Sequence, residues 1–287
     1  MFGIGRLYHL TQVVDDVDAA DTWYTRVFDA RRIYRGYDAV AMRVASIIVI
    51  GNAVIELIEV DRSPDAERTP LGRYHAKFGQ HLHSIAMFVD SLGDAGEALH
   101  DAGVRMTDTP GRPITDVRPD RTIWTHPKDT IMVLELAVVP RFHFDPRLHP
   151  SWTDDYWRSG PLGLTSLPHV TVLVADSERG RYVFGEVLQR QQVASEPWVG
   201  GGLRRVYDFG PDLQVELVTP TEPGSPEQLD LARLGDGPFG YCFGVADLGA
   251  AERHLELLGQ PVARRGSDQL IIPPEHGHGT AISFVEA

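Results

Sequence analysis

The chain repeats one pattern four times, and this repetition restricts its fold more than any other feature of the sequence. Each copy starts with an apolar strand-like run, passes through an acidic or small-residue turn, and continues with apolar residues at helical spacing. The copies begin at His9, His83, His169 and Phe239. Because self-similarity along a chain indicates a repeated supersecondary unit, the fold is predicted to consist of four related modules.

Further strand-like runs follow each predicted helix. After the first helix, AVAMRVASIIVI and NAVIELIEV are joined by Gly51-Asn52, a pair that favours a hairpin turn. The corresponding runs are RTIWTH and TIMVLELAVV in the second copy, LRRVYDFG and DLQVELVTP in the third, and QLIIPP and GTAISFVEA in the fourth. Gly103 and Gly259 are placed to end the second and fourth helices. Each module therefore reads as βα followed by two or three β-strands, and the predicted fold class is α+β.

One segment interrupts the repetition and divides the modules into two pairs. Residues 140–166 are rich in proline and aromatic residues and show no regular spacing of apolar positions. This segment is predicted to be a linker between a domain at 1–139 and a second, degenerate domain at 167–287. The aromatic residues between positions 152 and 157 indicate that the linker packs against part of the protein.

The charge and cysteine content of the chain disfavour several classes of binding partner and cellular location. The 287 residues carry a formal net charge of -13, which disfavours nucleic acid and anionic membranes as partners because an acidic surface repels both. A single cysteine excludes an internal disulfide framework, and the sequence shows neither a signal peptide nor an apolar run of membrane-spanning length. We expect a soluble cytoplasmic protein that acts on a small molecule, with a homodimer as one possible assembly.

Four residues that can bind a metal occupy matching places in the first two modules. His9 and His83 stand at the head of the opening strands, and Glu56 and Glu135 interrupt apolar closing strands in VIELIEV and VLELAVV. In HLHSIAMFVDS, strand alternation places His83 inside, whereas His81 lies at the frayed entrance of the strand. Taken singly, each histidine reads as a core residue and each glutamate as an edge-strand surface residue. Together they predict a site for one divalent cation, because buried carboxylates require a partner.

Three stretches resemble the vicinal oxygen chelate superfamily, which includes glyoxalases, extradiol dioxygenases and bleomycin-resistance proteins. IVIGNAVIELIEV, HLHSIAMFVDS and THPKDTIMVLEL are most similar to the metal-binding stretches of methylmalonyl-CoA epimerases. The resemblance implies four βαβββ modules in two tandem vicinal-oxygen-chelate domains, with a cup around one divalent ion (Zn, Ni, Co, Mn or Fe). It carries the metal-ligand roles onto His9, Glu56, His83 and Glu135.

The sequence departs from the epimerase pattern in two respects. The acidic residue that serves as base in epimerases would align with residues 40–43, which contain no acid, and Asp38 is the nearest one. The chain is also about twice as long as an epimerase. The resemblance therefore does not imply a coenzyme A ester as substrate.

The second half reads as a degenerate copy of the first. His169 and Glu216 remain at two of the four equivalent positions, but Phe239 replaces the second histidine. Alignment of the closing strands places Ser283 opposite Glu135. With two of four ligands lost, a second complete metal site is not expected.

The four predicted metal ligands of the first half, His9, Glu56, His83 and Glu135, predict a metal-dependent isomerase, epimerase or lyase. A cation with open positions can chelate two neighbouring oxygens of a substrate and stabilise an enolate or enediolate, and Glu135 or Glu56 could serve as the base. Candidates for substrate binding beside the ligands are Arg43, Trp124 and His126.

Two other functions stay open. An extradiol-type dioxygenase needs coordination positions for both substrate oxygens and O₂, so a fourth ligand at Glu56 weighs against it unless Glu56 is displaced from the metal. A drug-binding resistance protein needs no metal shell, which makes the complete ligand set difficult to explain.

Overall fold

The computed structural model describes residues 2–108, 111–116, 122–139 and 145–287. Its first half contains two βαβββ modules in the order that the sequence predicts. The first module comprises β1 (Ile4–Val13), α1 (Val17–Phe28), β2 (Arg31–Asp38), β3 (Arg43–Ile50) and β4 (Ala53–Val60). A helix, α2 (Pro70–Phe78), then leads to the second module: β5 (His81–Val89), α3 (Leu92–Asp101), β6 (Met106–Thr107), β7 (Ile123–Thr125), α4 (Pro127–Thr130) and β8 (Val133–Ala137).

The second half repeats this arrangement after a short helix, α5 (Asp155–Arg158). The third module comprises β9 (Leu164–Leu173), α6 (Ser177–Tyr182), β10 (Gln192–Pro197), β11 (Gly202–Asp208) and β12 (Gln214–Pro220). After α7 (Pro226–Leu234), the fourth module comprises β13 (Gly237–Val245), α8 (Leu248–Leu257), β14 (Ala263–Arg265), β15 (Gln269–Ile272) and β16 (Ala281–Glu286). The prediction of an α+β fold with four βαβββ modules is therefore confirmed.

The sixteen described strands form two eight-stranded sheets with the same topology. Their orders are β2-β3-β4-β1-β5-β8-β7-β6 and β10-β11-β12-β9-β13-β16-β15-β14. Within each module the first strand pairs in parallel with the last, and the other pairs are antiparallel hairpins. Gly51 forms the predicted β3–β4 turn with a φ of 56°, a value that glycine adopts without steric cost. The parallel pairing of first and last strands brings distant sequence positions onto one face.

The backbone divides into two compact units, each drawing on both halves of the sequence. Unit 1 consists of Met1–His9, His83–Phe142 and His169–Phe239, and unit 2 of Leu10–Leu82, His143–Pro168 and Gly240–Ala287. These units are not contiguous in sequence, so the predicted domain boundaries at 139 and 167 remain predictions. Among the described helices, none is long and apolar enough to span a membrane.

The aromatic residues of the predicted linker pack within unit 2. Trp157 is buried, its ring contacts those of Trp152 and Tyr156, and its Nε1 donates a hydrogen bond to the backbone oxygen of Asp29. The guanidinium of Arg31 lies 4.0 Å from the centre of the Tyr156 ring, a cation–π contact. The prediction that these aromatic residues pack is confirmed.

Candidate functional site

The strand registers establish which residues of the four modules are equivalent. Thr11 faces Glu56 across β1 and β4, and Thr171 faces Glu216 across β9 and β12. Because His9 and His169 each precede these threonines by two residues, they lie on the corresponding strand faces. In the other modules, Glu135 faces Ala86 and Ser283 faces Cys242. The predicted alignment of Ser283 with Glu135 is confirmed, and the same register aligns Phe239 with His83.

In unit 1, the structure brings His9 and Glu135 together. Both residues are buried, and the His9 Nε2 atom lies 3.3 Å from Oε2 of Glu135. The indole Nε1 of Trp124 donates a hydrogen bond of 3.1 Å to the same Oε2, because Trp124 directly faces Glu135 across β7 and β8. Trp124, predicted to bind substrate, thus contacts and orients the carboxylate.

In unit 2, the carboxylate of Glu56 contacts the side chains of Arg43 and Thr11. Nη2 of Arg43 lies 3.4 Å from Oε1 of Glu56, and the hydroxyl of Thr11 donates a hydrogen bond of 3.3 Å to Oε2. On its other side, Nε of Arg43 lies 3.9 Å from Asp38. Asp38 accepts hydrogen bonds from the backbone N–H groups of Val40 and Ala41, so this nearest acid in the predicted base region stabilises the β2–β3 turn.

The two histidines that open β5 are buried in the opposite order from the prediction. His81 is buried, whereas His83 is partly exposed. The prediction that His81 lies at a frayed entrance was wrong because helix α2 packs there: Tyr74 approaches Nδ1 of His81 at 3.2 Å and donates to the backbone oxygen of Leu82. Nδ1 of His83 lies 3.0 Å from the Ser84 hydroxyl.

His126, the third predicted substrate-binding residue, caps helix α4. Its Nδ1 accepts a hydrogen bond from the backbone N–H of Lys128, and burial together with the nearby charge of Arg105 lowers the pKa of the imidazole. This helix-capping contact accounts for a histidine at the head of the His-Pro-Lys-Asp turn. A role for His126 in substrate binding remains a prediction.

The degenerate copy in the second half forms a closed polar network within unit 1. Glu216 is 1% exposed and accepts hydrogen bonds from Nε and Nη2 of Arg204, while Thr171 donates to its other oxygen at 3.2 Å. Nε2 of His169 lies 3.3 Å from the same oxygen, and Arg204 also pairs with Glu196. A guanidinium, which the sequence analysis did not predict, therefore compensates the buried carboxylate here.

Burial lowers the pKa of His169, against the smaller raising effect of Glu216, and this predicts a dependence of stability on pH. The unfolded imidazole takes up a proton near pH 6.5 that the folded one resists. The free energy of unfolding should therefore be highest above pH 6.5 and should fall as the pH drops towards the lowered pKa of the folded state. Its slope should reach up to about 1.4 kcal/mol per pH unit.

Urea unfolding of wild type and His169→Gln between pH 7.5 and pH 5 measures this contribution, because glutamine carries no titrating group. The wild type should lose stability relative to the variant as the pH falls. A difference between the two proteins that stays constant over this range would show that His169 titrates normally.

The described ranges contain no group of three histidine, cysteine, aspartate or glutamate side chains arranged to hold a metal ion. His9 and Glu135 are in contact as a pair, whereas the described contacts of His83 and Glu56 are with Ser84 and with Arg43 and Thr11. A cavity of about 570 Å³ in unit 1 is lined by Phe2, three acidic residues of α3 and Gln189, and contains none of the predicted site residues.

The fold is a tandem arrangement of βαβββ modules in which the strand registers are the same in the two halves of the chain. Residues 6–129 match the model of the Glyoxalase/Bleomycin resistance protein/Dioxygenase superfamily. For this part of the chain, the match confirms the resemblance found in the sequence. Among curated proteins, none matches the chain in sequence.

Solved structures extend the fold assignment to the whole chain. A mutant of 4-hydroxymandelate synthase from Streptomyces coelicolor matches with a TM-score of 0.72 at 15% identity, over 100% of this chain and 93% of its own. A halotolerant catechol dioxygenase matches with a TM-score of 0.60 at 13% identity, over 99% and 87%. Methylmalonyl-CoA epimerase from Mycobacterium tuberculosis matches 45% of this chain and 90% of its own at 25% identity, with a TM-score of 0.40. The first two likenesses show a shared fold.

Proposed function

We propose that the protein is a divalent-metal-dependent enzyme that binds two neighbouring oxygens of a small substrate and promotes proton transfer at the adjacent carbon. The buried contact between His9 and Glu135 carries this proposal. The proposed ligands are His9, His83 and Glu135 of unit 1, and the ligand role of Glu56, which belongs to unit 2, stays a prediction from the sequence. The reaction class is an isomerisation, epimerisation or lyase reaction through an enolate or enediolate.

The donor set fits a divalent cation in its chemistry. Imidazole nitrogen and carboxylate oxygen bind such ions at about 2.0–2.2 Å, so two neighbouring ligands of one ion stand roughly 3 Å apart. The 3.3 Å between His9 Nε2 and Glu135 Oε2 agrees with that spacing. When bound, the cation supplies Lewis acidity that stabilises negative charge on the substrate oxygens. Since Nδ1 of His83 is close to Ser84, Nε2 is the nitrogen we assign to the cation.

Glu135 is the residue that we propose moves the proton. Trp124 donates its hydrogen bond to Oε2 of Glu135, which fixes the orientation of the carboxylate within the strand layer. Oε1 is the atom that we propose accepts a carbon-bound proton from a substrate within hydrogen-bond reach. Glu56 is the second candidate for this role, and it is held by Arg43 and Thr11 instead of an indole.

A ring-cleaving dioxygenase is the second candidate function, and one contact favours it. Arg43 and Thr11 both engage Glu56, so Glu56 has partners other than a cation. If only His9, His83 and Glu135 bind the metal, two histidines and one carboxylate remain, a set that leaves open positions for two substrate oxygens and O₂. Oxygen consumption distinguishes this reaction from proton transfer.

The proposal predicts about one divalent ion per chain. Elemental analysis of the purified full-length protein should find this stoichiometry, and His9→Ala should lose most of the metal because it removes a buried ligand. Glu216→Gln should retain it, because Arg204 already compensates that carboxylate. Two ions per chain, or full metal content in His9→Ala, would contradict the proposed site.

The reaction class is tested with the metal-loaded protein and a panel of catechols and α-hydroxy ketones. Isomerase or epimerase activity should exchange a carbon-bound proton with solvent deuterium, measured by NMR, without oxygen uptake. Stoichiometric oxygen uptake with a catechol would favour the dioxygenase. Binding of aromatic compounds with neither reaction, and without metal, would indicate a drug-binding protein.

A further inference from the structure

We infer that the β15–β16 turn (residues 273–280) is a pH-sensitive switch in unit 2, held closed by the neutral side chain of His278 and opened when that imidazole is protonated. None of the proposed metal ligands takes part, so the switch is independent of the proposed function. Two features of the turn support it, the backbone conformation at His278 and the surroundings of the imidazole ring.

The β15–β16 turn contains two consecutive residues with a left-handed backbone. The φ angles of His278 and Gly279 are 52° and 81°. Glycine adopts such values without steric cost, whereas the Cβ of a histidine makes them unfavourable. Gly279 also lies so close to Gln80 that a Cβ at this position would overlap the backbone oxygen of Gln80. The closed turn therefore depends on contacts that offset the cost at His278.

These contacts involve both the backbone and the ring of His278. The side-chain amide of Gln12 donates hydrogen bonds of 2.9 Å to the backbone oxygens of Gly277 and His278. The Nδ1 atom of His278 lies 3.3 Å from Oε1 of Gln80. The half-buried ring also makes an edge-to-face contact with Trp23, at 5.3 Å between ring centres. Departure of the ring from this place would remove contacts that hold the left-handed backbone.

The charged groups around His278 compensate an imidazolium only weakly. Asp15 and Asp16 act on the ring from the turn before α1, but both are exposed, so water screens them. Asp15 also lies 2.7 Å from Nε2 of His75 in α2, and Asp16 accepts hydrogen bonds from backbone N–H groups in the first turn of α1. Burial of the ring is therefore the stronger effect, and it lowers the pKa of His278.

Protonation is thereby coupled to opening of the turn. An imidazole that has moved into water takes up a proton near pH 6.5, whereas the half-buried ring of the closed turn resists protonation until a lower pH. The closed form is therefore most stable above pH 6.5 and loses stability relative to the open form as the pH falls. Opening also frees the amide of Gln12, whose oxygen accepts a hydrogen bond from the buried hydroxyl of Tyr24.

Hydrogen exchange of the Gly279 amide reports this opening, because its N–H donates to the backbone oxygen of Pro274 within the turn. It is measured by NMR on the full-length protein between pH 7.5 and pH 5. The protection factor, corrected for the intrinsic dependence of exchange on pH, should fall about 10-fold per pH unit between pH 6.5 and the lowered pKa of His278. The C2–H resonance of His278 should titrate with a midpoint below pH 6.5.

His278→Asn removes the titrating group and keeps a residue that tolerates a left-handed backbone, so its protection factor should not depend on His278-linked protonation. His169 titrates in both proteins and cancels from the comparison. Glu275 and His276, the other ionisable residues of the turn, are exposed, and His276→Gln is therefore the matched control that should keep the wild-type behaviour. Equal pH dependence in wild type and His278→Asn, or a His278 midpoint at or above pH 6.5, would overturn the switch.

Discussion

Replacement of Glu135 by glutamine is expected to weaken metal binding and, at saturating metal, to lower turnover by roughly 10²–10⁴, the usual contribution of a positioned acid–base group. The amide keeps an oxygen that can accept the Trp124 hydrogen bond, so the local fold should persist. It loses the negative charge that binds a cation and the basicity that accepts a proton. Loss of metal affinity should exceed the 10–100-fold typical of changes outside the ligand shell.

Metal affinity and turnover are measured separately, the first by competition with a chelator and the second by solvent-deuterium exchange with metal in excess. Glu216→Gln is the matched control, because Glu216 occupies a closing strand of the other half and is compensated by Arg204. Normal turnover of metal-saturated Glu135→Gln would remove the base role and favour Glu56. Unchanged metal affinity would overturn the proposed ligand set.

The fold was predictable because the alternation of side chains along a strand and the repetition of the module can both be read from short stretches of sequence. Parallel pairing of the first and last strands in each module fixes which residues face each other, and an error of one position would turn every side chain to the other face. Ungapped alignment therefore placed Ser283 opposite Glu135, as the registers of β13–β16 and β5–β8 confirm. The same regularity identified the degenerate half.

Helices α2 and α7 were missed, although both carry local signals. Each begins with a capping hydroxyl followed by proline, at Thr69-Pro70 and Ser225-Pro226, and each ends at a glycine with positive φ. Neither segment has the apolar spacing on which the helix assignments depended. Missing α2 caused one error at the site. Tyr74 of α2 covers His81, so His81 is more buried than His83, the reverse of the prediction.

The partners of the glutamates could not be read from the sequence. Arg43 reaches Glu56 from a neighbouring strand, and Trp124 reaches Glu135 from the strand opposite. Such contacts depend on side-chain rotamers and on register between strands, whereas hydrophobic periodicity reports only which face is buried. Arg43 and Trp124 were predicted as substrate-binding residues, and the structure shows them in contact with the carboxylates.

The segment predicted as a linker contains an ion pair that the sequence gave no reason to expect inside the protein. Asp145 and Arg147 of unit 2 each have side chains 1% exposed, and Arg147 donates to both carboxylate oxygens through Nε and Nη2. Nη1 of Arg147 also donates a hydrogen bond of 2.7 Å to the backbone oxygen of Asn52 in the β3–β4 turn. The pair therefore attaches this segment to the hairpin that carries Glu56.

Arg147→Met is expected to lower the free energy of unfolding by about 3–5 kcal/mol, because it leaves the buried carboxylate of Asp145 without its guanidinium counter-ion and the oxygen of Asn52 without the Nη1 donor, although the backbone N–H of residue 147 still donates to Asp145. Urea denaturation followed by circular dichroism measures this loss. The double variant Asp145→Leu/Arg147→Met should recover much of it, since replacing both charges by apolar groups removes the uncompensated one. Arg68→Ala breaks a pair with Asp65 whose side chains are 81% and 70% exposed, and this control should cost about 0–1 kcal/mol. If Arg147→Met cost no more than this exposed pair, Asp145 would have to reach water or another donor, and the attachment of this segment to the hairpin would not depend on the ion pair.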